Sequence, residues 1–169
     1  MRTRFGLLVV AVLLLPTGCG DDPPPDAPVA QPTTDAQCVT SIPDEVFTTL
    51  GWTPTADGAT STVRGCRRQA SQGYVEVRRR TADYDEVCAT LDRTGAVGPG
   101  VAAPWLGDDV KACVVEPDAA GGQHVGQTKV VVADGKKQVL QIFVAALTDT
   151  PQGQVRKAVK LLLAANPPS

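Results

Sequence analysis

The stretch VGQTKVVVADGKKQVLQIFVAAL (Val125–Leu147) decides the fold. Two β-prone runs, Val125–Val132 and Gln138–Leu147, flank Asp134-Gly135, and Asp-Gly between such runs is a strong short-range signal for a β-hairpin. After it, Thr150 and Pro151 open a helix whose Val155, Ala158, Val159 and Leu162 line one stripe, ending at Asn166-Pro167. Before it, Val110–Val115 reads as a strand carrying Cys113. The segment Gly95–Gly107 reads as a long loop with Val97, Val101, Trp105 and Leu106 to hide, either a lid on the core or a flap over a ligand.

Further upstream, Asp83 with Glu86 three residues on forms a capping-box pattern. Tyr84, Val87, Cys88 and Leu91 follow at helical spacing. The runs Thr62–Gln69 and Tyr74–Arg80 flank Ser71-Gln72-Gly73 as a second hairpin, preceded by a turn-rich stretch, Trp52–Ser61. Ser41, Pro43 and Asp44 start a helix with Ile42, Val46, Phe47 and Leu50 on one face, and Gly51 stops it. The expected order is αββαβββα: three helices against a mainly antiparallel sheet of about five strands, an α+β domain over residues 38–169.

The first twenty residues say where the chain goes. Arg2 and Arg4 precede the apolar run Phe5–Leu15, which is much shorter than the roughly twenty residues a spanning helix needs, so residues 1–18 read as a secretory signal. Leu15-Pro16-Thr17-Gly18-Cys19 resembles the lipobox of bacterial lipoproteins, with Pro16 where an aliphatic residue is usual, and implies lipid attachment at Cys19. Residues 19–37 hold Pro23, Pro24, Pro25, Pro28 and Pro32 with Asp21, Asp22, Asp26 and Asp35, a tether too polar to bury a core. The expected location is extracytoplasmic, with a lipid anchor in the cell membrane.

The net charge is −2, and removing residues 1–18 takes away two arginines and no acid, leaving −4. An exported, mildly acidic chain is a poor match for nucleic acid, which selects basic surfaces. Four further cysteines, Cys38, Cys66, Cys88 and Cys113, are separated by 28, 22 and 25 residues. Zinc sites favour closer pairs, whereas an oxidising compartment favours disulfides. Four cysteines allow three pairings. We expect the neighbour pairing, Cys38 with Cys66 and Cys88 with Cys113, which ties the first helix to the first hairpin and the second helix to the strand after it.

The cysteine before a helix ending in Leu50-Gly51, Cys66 in the next strand, the turn Leu106-Gly107-Asp108-Asp109-Val110, the late hairpin and the C-terminal helix together resemble the DUF3558 family of actinobacterial lipoproteins. Its domain is related to extracellular sensor domains of mycobacterial receptor kinases. Arg67 and Arg68 stand where that family often has an aromatic residue. The resemblance implies location, disulfides and an α+β fold, and no reaction.

His124 is the sole histidine, so two-histidine metal sites are excluded, and no serine sits in a G-x-S-x-G context. We therefore expect no enzyme, no metal and no cofactor, and place His124 at a strand edge or in a loop. The local anomaly is basic: Arg64, Arg67, Arg68, Arg78, Arg79 and Arg80 gather in the first hairpin of an acidic protein. Alternation puts Arg64, Cys66 and Arg68 on one side. Arg64, Arg68, Arg78, Arg79, Arg80 and Trp105 are the candidate ligand residues, for an anionic envelope lipid or polymer that guanidinium groups would grip. The reading is a monomeric, non-catalytic binding or sensor module tethered to the membrane. The alternative is a structural envelope lipoprotein whose arginines form only a solvated sheet face balanced by Glu76, Asp83, Asp85 and Glu86.

Overall fold

The hairpin at Asp134-Gly135 forms as expected in the computed structural model, which describes residues 36–62, 65–91, 101–117, 122–135 and 137–169. Gly135 sits at φ 74°, a left-handed conformation that glycine adopts without steric cost. The hairpin closes with Asp134 N–H donating to Gln138 C=O at 2.9 Å. Its arms are long strands, β6 (Gln123–Ala133) and β7 (Gln138–Pro151), paired from Ala133↔Val139 to Gly126↔Ala146.

Around them lies one antiparallel sheet with seven strands among the described residues, in the order β1-β2-β3-β7-β6-β5-β4. The other strands are β1 (Pro54–Thr62), β2 (Gly65–Ala70), β3 (Gly73–Thr81), β4 (Val101–Ala102) and β5 (Ala112–Val115). Among the described residues four α-helices accompany them: α1 (Ala36–Ser41), α2 (Asp44–Leu50), α3 (Tyr84–Thr90) and α4 (Gln152–Ala165).

The α+β class stands, and the element count is corrected from about five strands and three helices. The missing strands are β1, where turns were expected, and the two-residue β4 inside the Gly95–Gly107 loop. Of the run Thr62–Gln69, Thr62 ends β1 and residues 65–69 belong to β2. The added helix, α1, begins two residues before the expected domain start at Cys38. Residues 1–35, where the signal, the lipidated Cys19 and most of the tether were expected, lie outside the described residues, as does Val97.

Alternation gives the sheet two unlike faces. One carries Val75, Val77, Val130, Leu140, Ile142 and Val144 and packs against Phe47 of α2 and Val155, Val159 and Leu162 of α4. The opposite face carries Val131, Val139 and Cys113, covered by Val87 of α3. Pro43 precedes α2, and Gly51 at φ 71° ends it with its N–H turned back to Thr48 C=O. Asp83 caps α3 by accepting from Glu86 N–H at 3.1 Å. Trp105 and Leu106 lie in a short 3-10 turn, Pro104–Leu106, partly buried against the helix-covered core, so this part of the loop serves as a lid. No helix among the described residues is long and apolar enough to cross a membrane.

The pairing is Cys38–Cys66 and Cys88–Cys113. The first bridge ties α1 to β2, and the second ties α3 to β5. The C-terminal residues are clamped as well. The carboxylate of Asp134, with no exposed side-chain surface, accepts from Ser169 N–H at 2.6 Å and its hydroxyl at 2.7 Å, and from Arg79 Nε at 2.7 Å. Burial alone would raise this carboxyl. The bonds from Ser169 and Arg79 outweigh it and hold the group below the usual aspartate range.

Peptide mapping without reduction should recover these two links and no free thiol among the four cysteines. Replacing both Cys88 and Cys113 with Ala should lower the unfolding free energy by roughly 3.5 kcal/mol in a denaturant titration, from the entropy of the loop it opens.

Candidate binding face

Beyond α3, the second face of the sheet is roofed among the described residues by its own long side chains. Strand register lays them out in rows. Arg67 pairs with Glu76, Glu76 with Phe143 and Phe143 with Lys129, one row across β2, β3, β7 and β6. On one side runs Gln69, Tyr74, Ala145 and Gln127, and on the other Arg78 and Gln141. At the usual strand spacing the four-strand row spans roughly 14 Å.

The chemistry of these rows is cationic and flat. Arg67 gives Nε and Nη2 to Glu76 Oε2 at 3.0 and 2.6 Å and lies 4.3 Å over the Tyr74 ring. Gln127 Nε2 donates to the Tyr74 hydroxyl at 2.8 Å. Arg78 lies 4.4 Å over Phe143, donates to Gln141 Oε1 at 2.9 Å, and stands 3.5 Å from the other Glu76 oxygen. A guanidinium on an aromatic ring shields apolar surface while keeping its outer edge in water, which is why Phe143 is only 7% exposed. One carboxylate thus serves two arginines, with Lys129 on the same row. Beside Arg67 and Glu76 opens a shallow dimple of about 200 Å³, also bordered by Thr60 and Gln69.

The residues singled out in the sequence do not converge here. Arg78 does lie on this face, and Arg80 follows it on the same side, exposed at the end of β3. Arg68 is on the helix-covered face, 8% exposed, its Nη1 donating to Ile42 C=O at 2.6 Å and its Nη2 2.7 Å from Asp44. It is a core arginine, so a ligand role for it is set aside. Arg79 also points to the helix-covered side, where it binds Asp134 and donates to Pro167 C=O at 2.7 Å. Trp105 stands against Arg156 of α4, next to the opposite edge of the sheet. Arg64 lies outside the described residues.

Sequence reasoning missed Tyr74, Gln127, Lys129, Gln141 and Phe143. The usable signal was the alternation Tyr74-Glu76-Arg78-Arg80 against Val75-Val77, which separates the two faces of β3. No family model, curated protein or solved structure matches the chain.

A second polar group of residues is buried rather than exposed. His124, expected at an edge, has no exposed surface. Its Nε2 is 3.3 Å from the Thr128 hydroxyl, and its Nδ1 makes no hydrogen bond of good geometry. Opposite it, the Thr150 hydroxyl accepts from Trp52 Nε1 at 3.2 Å. Burial pushes the imidazole below the ordinary histidine range, and the Gly126 backbone and the Glu116 carboxylate only partly offset this. Glu116 is itself held by Arg156 at 2.6 Å and by Gln152 at 3.2 Å.

Two outcomes follow. Arg68→Ala strips a hydrogen bond from a buried carbonyl and should cost about 3 kcal/mol, against about 1 kcal/mol for Arg78→Ala on the open face, as measured by chemical denaturation. Because the fold favours neutral His124, its stabilisation is complete above pH about 6.5 and is lost as pH falls from there through the lowered folded-state value. Between pH of about 7.5 and 5, stability should therefore fall by at most about 1.4 kcal/mol per pH unit, the limit for one proton. His124→Gln should flatten that slope. Asp134 acts in a lower window, below about 3.9, and does not overlap.

Proposed function

We propose that the chain is an exported, lipid-anchored and non-catalytic binding module that offers the open face of its sheet to an anionic component of the cell envelope. The observation that carries this reading is the placement of Arg67, Lys129 and Arg78 on the one open face of the sheet, two of them lying flat on aromatic rings, in a protein whose net charge is −2. Guanidinium groups already desolvated on one side by a ring and aligned by a carboxylate lose little freedom on binding carboxylate, sulfate or phosphate. The likeness to DUF3558-type lipoproteins and the lipobox-like Cys19 support the location and the anchor.

The structural alternative accounts for Arg68 and Arg79, whose bonds hold the fold together. It gives Arg67 and Arg78 no role beyond roofing Tyr74 and Phe143 and pairing with Glu76.

In its own kind of host, the wild-type protein should partition with membranes, and Cys19→Ala should accumulate as precursor or be shed. Recovery of wild-type protein wholly in the medium, with an unmodified N-terminal peptide, overturns the anchor. At low salt the unlipidated protein should bind a soluble polyanion such as dextran sulfate, and Arg67→Glu with Arg78→Glu should weaken that binding at least tenfold. Equal binding by the double variant refutes the role given to this face.

A further inference from the structure

His124 and Thr150 form a buried polar corner at the far end of the β6–β7 hairpin, and few strand pairs hold it shut. His124 is the second residue of β6, and beyond Gly126↔Ala146 the two strands share only the pairs His124↔Thr150 and Gln123↔Pro151. Between corner and ladder lies a bulge, in which Val125 stands against Leu147, Thr148 and Asp149, all four exposed. The joint on the β6 side is Gly126, at φ 126°, a conformation that residues with a Cβ rarely adopt. On the β7 side, Leu147 N–H donates to Gln72 C=O at 2.8 Å, and beyond that bond the arch leads into the corner, where the Thr150 hydroxyl donates to Thr148 C=O at 3.2 Å.

Inside, the corner suits a neutral ring. The Thr150 hydroxyl accepts from Trp52 Nε1 at 3.2 Å, and His124 Nε2 is 3.3 Å from the Thr128 hydroxyl. His124 Nδ1 has no partner, although the side chain has no exposed surface. A neutral imidazole has one donor to satisfy and an imidazolium has two, so protonation adds a charge and a donor that the closed corner does not serve. The charged groups around it do not make up the difference. Glu116, in the segment after β5, is already bound by Arg156 at 2.6 and 2.9 Å and by Gln152 at 3.2 Å. Arg156 is itself a cation, and Asp149 stands out on the arch in water. Thr150, across from His124, is two residues ahead of α4, and the N-terminal end of a helix disfavours added positive charge. Trp52 and Thr128 carry no charge.

We infer that His124 is an acid-operated latch: its protonation swings the His124–Thr150 corner open about Gly126 and the arch of Leu147, Thr148 and Asp149, uncovering the buried Trp52 while the rest of the sheet stays paired. Local opening is the cheaper way to bring the ring to water. It breaks two strand pairs, the Trp52–Thr150 bond and the contact with Thr128, whereas global unfolding gives up the seven-stranded sheet and both faces of its core to reach the same result. The direction follows from linkage. An open corner takes up its proton at the ordinary histidine value of about 6.5 and the closed one only at lower pH, so falling pH favours the open form. From about pH 7.5 to about pH 5 the ratio of open to closed rises by at most about thirtyfold, the limit for one proton taken up at that value. The latch is independent of the partner proposed for the open face.

The test is hydrogen exchange followed by NMR on the unlipidated, disulfide-bonded protein (Cys19→Ala), corrected for intrinsic exchange rates. The reporter is the Trp52 indole N–H, whose bond to Thr150 crosses the corner. At about pH 7.5 its protection should lie about a hundredfold or more below that of the amides of Val130–Val132 and Leu140–Val144, the mark of an opening smaller than global unfolding. Toward about pH 5 it should fall by a further tenfold or so, in step with the titration of the sole histidine ring, and His124→Gln should remove that pH dependence. Indole protection equal to that of the central strands at both pH values means that the corner opens only when the whole protein unfolds, and overturns the latch. Lower protection without pH dependence overturns it as well, as does a His124→Gln protein that keeps the wild-type response. Should that variant fail to fold, the two wild-type measurements decide.

Discussion

β7 must be kept dry on both sides. Val139–Ala146 are eight consecutive buried residues at the centre of a seven-stranded antiparallel sheet, and the order of everything else follows from covering them. Antiparallel sheets usually leave one face to solvent, where alternate residues are polar. Here Ile142 and Val144 face α2 and α4, while Val139, Gln141, Phe143 and Ala145 look the other way. The one described helix on that second side, α3, reaches Val139 and Val131 and leaves Phe143 and Ala145 to be covered otherwise. Arg67 and Arg78 do this by lying flat on Tyr74 and Phe143. The same side chains are thus both the roof of the core and the charge of the surface.

The arginine run illustrates how far one stretch of sequence divides its labour. Arg78, Arg79 and Arg80 are consecutive, so a strand sends the first and third to one face and the second to the other. Arg79 finds the buried Asp134 and the carbonyl of Pro167, closing the C-terminus onto the hairpin turn. On the neighbouring strand, Arg67 and Arg68 split in the same way. One meets Glu76 and Tyr74 in the open, and the other meets Ile42 C=O beneath the start of α2. A cluster counted along the chain is therefore larger than the cluster a ligand would meet. The sequence shows a local gathering of arginines in an acidic chain, and strand pairing decides which of them reach the open face.

What was legible beforehand has a common character: local chemistry with a single solution. Asp134-Gly135 demands a tight turn, Gly51 a helix stop and Asp83 a cap, and the neighbour pairing of cysteines needed no long-range register. What was not legible depends on partners. β1 reads PTADGATST, with little apolar alternation, and becomes a strand because β2 offers it a ladder at the sheet edge. Gly65 and Gly73 sit where a Cβ would meet backbone oxygen at about 2 Å, close approaches fixed by β3 and β7 that no local pattern reveals. β4 is too short to have a period at all. The burial of His124 was unreadable for the same reason, since its surroundings include β7 and the segment after β5.

The buried histidine and the exposed apolar pair are two results of one geometric step. Between Ala146 and Thr150, β7 advances four residues while β6 advances two, from Gly126 to His124. Both numbers are even, so parity is preserved and His124 and Thr150 remain on the helix-covered side with Ala146. There Thr128 and Trp52 satisfy part of their polar surface. The two surplus residues of β7 have no partners on β6 and arch outward, carrying Leu147, Thr148 and Asp149 into solvent beside Val125. An odd surplus would have reversed the sides and placed a threonine and a histidine in water. The core keeps its polar corner closed only by exposing aliphatic groups at the margin of the cationic face, which joins the packing of α4 to the shape of the surface a partner meets.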